Sequence, residues 1–242
     1  MASASLFLLL VINNIFVVKL TEYNTDMNNT FKLVQILQNL NRVKKTAGNL
    51  FMGVPENLNP SIAGHSWMVT NIAMFLSDYL VQKENQNINI EKILRYCLSK
   101  EWANVVLGDI TYGSPSFASF WEIDIRKEAE NAKNKIVNSM KEMICDEIKI
   151  EAIELNKIEK EIVSLAANIA MLLDMLEWKY AGFKHDGFEM VWFNTIERTK
   201  KSELGIAQNW VKMLNEAYKK GSKDYNIFLA QPQLQVNPEH KL

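Results

Sequence analysis

Apolar residues recur along most of the chain at the three-to-four-residue spacing that is typical of amphipathic α-helices. This pattern predicts a first helix over residues 31–45 and a second helix that begins at Ser61. It predicts a third helix from about 90 to 108, and later helices at 120–144, 157–180, 188–201 and 202–219. No stretch alternates with the two-residue period of a strand. We therefore predict an all-α protein.

The apolar stripes also indicate which side of each helix faces the core. In the first helix the stripe contains Val34, Leu37 and Leu40. In the third helix it contains Cys97 and Leu98, and Gly108 is expected to end that helix. These positions are the expected contacts between neighbouring helices.

The helical periodicity covers residues 27–220, and we predict that they form one domain. The segment 1–26 is weakly apolar, but its run at 6–18 is interrupted by two asparagines and no Lys or Arg precedes it. A spanning helix needs about 20 apolar residues and a secretory signal needs a positive start. We interpret 1–26 as an extension or a mis-assigned start, with a membrane-associated N-terminus as the alternative. Residues 221–242 lack periodicity, which predicts a flexible tail.

Composition narrows the functional classes. Apolar residues make up 48% of the chain and charged residues 23%, the balance of a folded globular protein. The formal net charge is −1, which argues against the basic footprint of a protein that binds duplex nucleic acid. Cys97 and Cys145 have no CxxC or Cys–His spacing, so we expect reduced core thiols and a cytoplasmic protein.

Three segments, in order along the chain, carry a resemblance to a known family. The first leads from 40–45 to residues 62–67, which read Ile-Ala-Gly-His-Ser-Trp. The second is 98–110, which ends Val-Val-Leu-Gly-Asp-Ile, and the third is 166–180, which contains Leu-Glu-Trp. Over residues 31–218 the chain resembles the HD-domain phosphohydrolases that remove phosphate from deoxynucleoside 5′-monophosphates. The resemblance implies an HD-domain-like helical bundle.

The resemblance also implies a divalent metal site. Such enzymes hold manganese, cobalt, iron or zinc with a His from the second helix, a His-Asp pair from the third and an Asp from a late helix. A metal in this place neutralises the phosphate and activates a water molecule. The matching positions of this chain hold His65, Lys100, Glu101 and Ala167. Of the family's ligands, this chain therefore retains the imidazole of His65 and one acid, Glu101, whose longer side chain displaces the carboxylate.

Three further positions carry over by the same resemblance. The Glu that assists proton transfer is replaced by Asn104, whereas the acid of the Gly-Asp-Ile element is kept as Asp109. The basic residue that grips the phosphate corresponds to Lys45. Because an amide cannot give or take a proton as a carboxyl group does, the proton-transfer step is also affected.

These substitutions favour a non-catalytic protein without a metal, that is, a pseudoenzyme. A charged Lys100 has no lone pair to donate to a metal, and Ala167 has no donor atom. We hypothesise that Lys100 pairs with Glu101 or Asp109, and that its charge replaces that of the metal. With Lys45 and His65 it would then bind a nucleotide, another phosphate ligand or a protein partner.

Plainer interpretations remain open for the same residues. Lys100 and Glu101 can form a simple salt bridge at a helix margin, and Asp109 can cap a turn. His65 can be a hydrogen-bonded core histidine. The tryptophans near the site, Trp67 and Trp102, are expected in the core rather than as platforms for a base.

Two other functions also remain open. One is a working metal-dependent 5′-deoxynucleotidase with an atypical ligand set. The other is a structural or oligomeric adaptor, since the resemblance implies a homodimer formed through helices.

Overall fold

The computed structural model describes residues 27–46, 52–110, 125–144 and 153–220. All regular secondary structure in these ranges is helical, apart from one isolated bridge between Lys44 and Ser61. The helices are α1 (Met27–Gln38), α2 (Ile62–Glu84), α3 (Ile90–Ser99), α4 (Asn104–Leu107), α5 (Ile125–Lys141), α6 (Lys157–Tyr180), α7 (Asp186–Lys200) and α8 (Ile206–Lys220). Short 3-10 helices lie at Asn39–Asn41 and Glu56–Leu58. The predicted all-α class is confirmed.

The chain divides into two compact units. Unit 1 contains Met1–Ala47, Pro60–Ser66 and Arg95–Glu154, and unit 2 contains Gly48–Asn59, Trp67–Leu94 and Leu155–Leu242. In unit 1, α1 and α5 share a buried cluster formed by Leu33, Ala103, Ile136, Met140 and Ile144. In unit 2, the buried cluster unites residues of α6, α7 and α8 with Met52 and Val54, and it includes Leu172, Leu176, Trp192, Ile196 and Leu214.

Helix starts follow from local side-chain hydrogen bonds. The hydroxyl oxygen of Ser61 accepts from the backbone N–H of Gly64 at 3.0 Å, which satisfies one free donor at the start of α2. Asn156 and Glu159 form a reciprocal capping box at the start of α6. The predicted beginning of the second helix at Ser61 and the predicted span 157–180 are both confirmed.

The first helix differs from its predicted bounds and face. It occupies Met27–Gln38, followed by the 3-10 turn, rather than residues 31–45. Leu33 is buried, while Val34, which the stripe placed inward, is exposed. The reason is tertiary, because the buried cluster of α5 meets the side of α1 that carries Leu33.

The predicted third helix is interrupted. α3 ends at Ser99, and a turn precedes α4 at Asn104. Within this turn the backbone bonds from Trp102 to Ser99 and from Asn104 to Glu101 span three residues, at 3.1 and 3.0 Å, which is the tighter 3-10 winding. Leu98 is exposed rather than inward. Gly108 ends α4 as predicted, with a φ of 68° that favours glycine.

Several predictions lie outside the described residues: the segment 1–26, the tail 221–242 and Cys145. The one-domain interpretation of 27–220 stays a prediction. Within the described ranges, no helix combines the length and the apolar character needed to cross a membrane.

Candidate functional site

The candidate residues of unit 1 are brought together by the segment that follows α1. Lys45 donates its backbone N–H to the carbonyl of Pro60 at 2.9 Å, and Ile62 donates to Val43 at 2.8 Å. These bonds hold the segment beside the first turn of α2. On its other side, the Thr46 hydroxyl donates to the backbone carbonyl of Asp109 at 3.2 Å. One short segment therefore links the start of α2 to the end of α4.

His65 lies one turn into α2 and is buried, with 6% of its surface exposed. Its backbone N–H donates to the carbonyl of Ser61 at 2.9 Å. Burial, followed by repulsion from Lys45 and Lys100, lowers the pKa of the imidazole to about 3. His65 is therefore a neutral imidazole at pH 7, in the electrostatic field of two lysines.

Lys100, Glu101 and Asn104 form a small network at the turn between α3 and α4. The ammonium Nζ of Lys100 is 3.5 Å from Oε1 of Glu101, and these side chains are 20% and 16% exposed. The amide Nδ2 of Asn104 donates to Oε2 of Glu101 at 2.6 Å. Both carboxylate oxygens of Glu101 are thus engaged by neighbours of the same chain. The predicted pairing of Lys100 with Glu101 is present.

The charge of Glu101 is balanced by more than one lysine. Burial alone would raise its pKa, but attraction by Lys100, Lys45 and Lys133 outweighs burial and lowers the pKa. Lys100 also opposes the effect of burial on Cys97, whose thiol pKa is raised to about 11. The charged groups that act on Glu101 are therefore all lysines.

Asn104 is fully buried, and its amide oxygen Oδ1 has no hydrogen-bond partner among the described residues. Its other amide atom is fixed by Glu101. Unpaired buried acceptors are uncommon in folded proteins and call for a donor such as water or a ligand. This oxygen therefore adds a polar position to the lysine-rich site.

Not every predicted site residue joins this group. Ala167 is half-buried on α6, which belongs to unit 2, and it offers no donor atom in any arrangement. Trp102 packs against the buried cluster of unit 1, as predicted for a core residue. Trp67, in contrast, is 62% exposed, so the core assignment for that residue is wrong. A period of 3.6 residues turns Trp67 well away from the buried His65.

Lys133 is the residue that sequence reasoning missed. The sequence predicts no role for the charge-rich α5, yet Lys133 on this helix is half-buried and acts on Glu101. A signal was available, because position 133 lies at helical spacing from the buried Ala129 and Ile136. A lysine on the inner edge of a helix needs an acidic partner or an anionic ligand.

A family model described as "5′-deoxynucleotidase YfbR-like" matches residues 31–218. The chain belongs to the YfbR-like family. This match covers most of the chain and contains every candidate residue named above. No curated protein sequence matches the chain.

The fold of this YfbR-like protein is also found in solved structures. An HD-domain phosphohydrolase from Listeria innocua is 13% identical with a TM-score of 0.60, and the match covers 87% of this chain and 99% of that one. A conserved hypothetical protein from Pyrococcus furiosus is 21% identical with a TM-score of 0.54, covering 78% of this chain and 99% of that one. A protein from Pyrococcus horikoshii is 22% identical with a TM-score of 0.52, covering 77% and 97%. These likenesses show the HD-domain phosphohydrolase fold.

The residues of this family member do not fit the divalent metal that its fold class implies. Tight sites for such ions use three or four nitrogen, oxygen or sulfur ligands. Here Glu101 is already held by Lys100 and Asn104, and the ammonium of Lys100 is a cation without a lone pair. Among the described residues, no three His, Cys, Asp or Glu side chains are arranged to hold a metal ion.

Proposed function

We propose that this YfbR-like chain is a non-catalytic binder of a phosphate-bearing ligand, with nucleoside monophosphates as the class to test first. The proposal is supported mainly by the three lysines, Lys45, Lys100 and Lys133, whose charges all act on Glu101. A phosphate monoester, with a charge near −2 at neutral pH, is an anion that a group of lysines can bind.

The neighbouring groups also offer hydrogen-bond donors and an acceptor that such a ligand can use. Lysine binds phosphate as a point charge through three donors, so it tolerates several ligand geometries. His65 is neutral and can still offer one ring N–H to a phosphate oxygen. Asn104 presents an acceptor that a ligand hydroxyl or a water can fill. These features support binding without a chemical step.

The absence of catalysis is part of the same proposal. The position of the proton-transferring acid holds Asn104, whose amide cannot exchange a proton near neutral pH. The position that would carry part of a metal's ligand set holds Lys100. These two substitutions, at positions assigned by the family resemblance, support the proposal of a non-catalytic protein.

The test is calorimetric titration of the full chain with deoxyadenosine 5′-monophosphate in the presence of EDTA. We expect saturable binding, and a loss of about tenfold in affinity for Lys45→Gln, which corresponds to 1.4 kcal/mol. Lys157→Gln is the matched control, because Lys157 is an exposed lysine of unit 2. Absence of binding by the wild type, or equal losses in both variants, would contradict the proposal.

A second candidate is a metal-dependent 5′-deoxynucleotidase with an atypical ligand set, and family membership favours it. A phosphate-release assay with added manganese, cobalt, iron or zinc separates the two. The non-catalytic proposal expects no release above the buffer control. Release that disappears with EDTA and in Lys45→Gln would establish the enzyme instead.

A third candidate is an adaptor that works as a homodimer. Phe75 and Tyr79 are exposed aromatic side chains of α2 that lie four residues apart and therefore on one face, and Trp67 is exposed earlier in the same helix. Exposed aromatic residues are enriched where protein partners meet. Sedimentation of the wild type against Phe75→Lys tests this candidate, since a dimer through this face should become a monomer.

A cytoplasmic location completes the proposal. Cys97 is a free, buried thiol, as is usual in a reducing compartment. Fractionation of cells that express the chain with a C-terminal tag would test the location.

A further inference from the structure

The network at the turn between α3 and α4 resembles a small cation site whose cation belongs to the chain itself. The Lys100 ammonium faces Oε1 of Glu101 at 3.5 Å, and the amide of Asn104 holds Oε2 at 2.6 Å. Both carboxylate oxygens of Glu101, either of which could ligate a metal, already have a positively charged or donating neighbour.

The surroundings make this internal pair difficult to open. Glu101 and Lys100 are mostly shielded from water, and Asn104 is fully buried. A carboxylate in such a place needs a compensating charge in contact with it. Lys100 supplies such a contact at 3.5 Å, and the charges of Lys45 and Lys133 act on Glu101 as well.

We infer that the ammonium group of Lys100 is a built-in substitute for a divalent cation, which excludes such ions from Glu101 and makes phosphate binding independent of metal. This inference deepens the proposed function and rests on it for the phosphate ligand. The exclusion of divalent cations, however, follows from the Lys100–Glu101–Asn104 network alone.

The exclusion has two physical parts. An incoming divalent cation would lie within a few ångströms of a positive charge, in a setting less polar than water, where repulsion is strong. It would also have to break the hydrogen bond between Asn104 and Glu101 to gain the second carboxylate oxygen. Replacing Lys100 with a neutral ligating side chain removes the first obstacle and adds a donor.

The decisive experiment is calorimetric titration of the full chain with manganese chloride, comparing wild type with Lys100→His. In that variant, His65, Glu101 and the new imidazole provide three potential donors, the lower limit for a tight site. We expect at least a tenfold gain in manganese affinity over the wild type. Adding Glu101→Gln to the same chain should remove the gain.

Lys133→Gln is the matched control, because it removes a lysine that acts on Glu101 while leaving the Lys100–Glu101 contact in place. We expect no more than a threefold change in manganese affinity. Equal gains in Lys133→Gln and Lys100→His would overturn the inference, since the general charge of the site would then be responsible. A wild type that binds manganese as tightly as Lys100→His would also overturn it.

Orthophosphate titration of the wild type, with EDTA and then with manganese, separates this inference from the proposed function. If phosphate fails to bind while Lys100→His gains manganese, the proposed function fails and the exclusion of divalent cations stands. If phosphate binds only with manganese, the inference fails although a ligand site exists. If Lys100→His does not fold, as judged by a loss of its helical circular dichroism, the test is thermal unfolding of the wild type with and without manganese. A rise in Tm of several degrees with manganese would overturn the inference. An unchanged Tm would support it.

Discussion

Two glutamates that are largely shielded from water, one in each unit, show how similar interactions can have different consequences. Glu159 in unit 2 is 2% exposed and accepts from the ammonium of Lys92 at 2.7 Å. Its carboxylate also accepts from the backbone of Asn156 at 2.8 Å, and its own N–H donates to the Asn156 side chain at 2.9 Å. Burial would raise the pKa of Glu159, but these partners lower it.

Glu101 in unit 1 has the same kinds of partner and also a lowered pKa. Glu101 differs from Glu159 in how many lysines act on it and in whether its hydrogen-bond donor is itself fully satisfied. Three lysines act on it instead of one, and the amide of Asn104 that binds it has a buried oxygen without a partner among the described residues. A single lysine acts on Glu159, which closes a helix start, whereas three lysines act on Glu101.

Charge balance, rather than burial or pairing alone, distinguishes the structural carboxylate of Glu159 from Glu101, for which we propose a binding site. A structural pair satisfies every buried polar atom. A site keeps some groups unsatisfied until a ligand arrives, and it accepts a cost in stability. The following substitutions test this distinction.

The largest effect is expected for Glu159→Ala. It removes the capping box of α6 and leaves Lys92 without its carboxylate, so the free energy of unfolding should fall by about 3 kcal/mol. Urea unfolding followed by circular dichroism measures this loss. The phosphate affinity of the folded variant should stay at the wild-type value. A large change in affinity would contradict the distinction between Glu159 and Glu101.

The second effect is the dependence of stability on pH that His65 confers. Because burial and the two lysines lower its pKa to about 3 from 6.5, the unfolded chain takes up a proton below pH 6.5 and the folded chain does not. Stability should therefore fall as the pH drops from 6.5 to 4.5, by about 2 kcal/mol for this group. Because the pKa values of Glu101 and Glu159 are lowered from 4.5, these two carboxyl groups affect the pH dependence of stability mainly below this window.

Urea unfolding of wild type and His65→Gln at several pH values isolates that contribution. The other histidines are common to both chains, so only the difference between the two slopes matters. We expect the variant to be less sensitive to acid across this window. Parallel slopes would show that the imidazole is not held neutral in the site.

Much of the fold could be predicted from periodicity, because the presence of a helix depends on local spacing. The span 157–180 was predicted correctly, and it contains a long apolar face with no glycine or proline to interrupt it. The inner face of α1 was not predicted correctly. Leu33 and Val34 are adjacent apolar residues, and only contact with α5 decides which of them is buried.

The site was partly predictable for a similar reason. Lys45, His65, Lys100, Glu101 and Asn104 could be named from the family resemblance, and the Lys100–Glu101 pairing could be expected from adjacency. The break after Ser99 carries no glycine or proline signal, and it is this turn that lets Asn104 reach Glu101. The role of Lys133 depends on the packing of α5, which is remote in sequence.

A smaller effect is expected for Glu101→Gln. The amide keeps the shape of the side chain but removes a negative charge on which three lysines act, so orthophosphate should bind about fivefold more tightly. Calorimetry measures the gain, and Glu159→Gln is the matched control, with unchanged affinity. Weaker phosphate binding by Glu101→Gln would show that the carboxylate positions the lysines rather than competing with the ligand.

The smallest effect is expected for Lys157→Ala, which removes the shortest contact among these lysine–glutamate pairs. The Lys157 ammonium lies 2.6 Å from Oε2 of Glu203, a shorter distance than in the Lys92–Glu159 and Lys100–Glu101 pairs. The side chains of Lys157 and Glu203, however, are 83% and 68% exposed. Water solvates both charges, so pairing adds little. We expect no measurable change in the urea midpoint or in phosphate affinity. A clear loss of stability would mean that the distance between the charges predicts the contribution of an ion pair to stability better than burial does. The basis for separating Glu101 from Glu159 would then be removed.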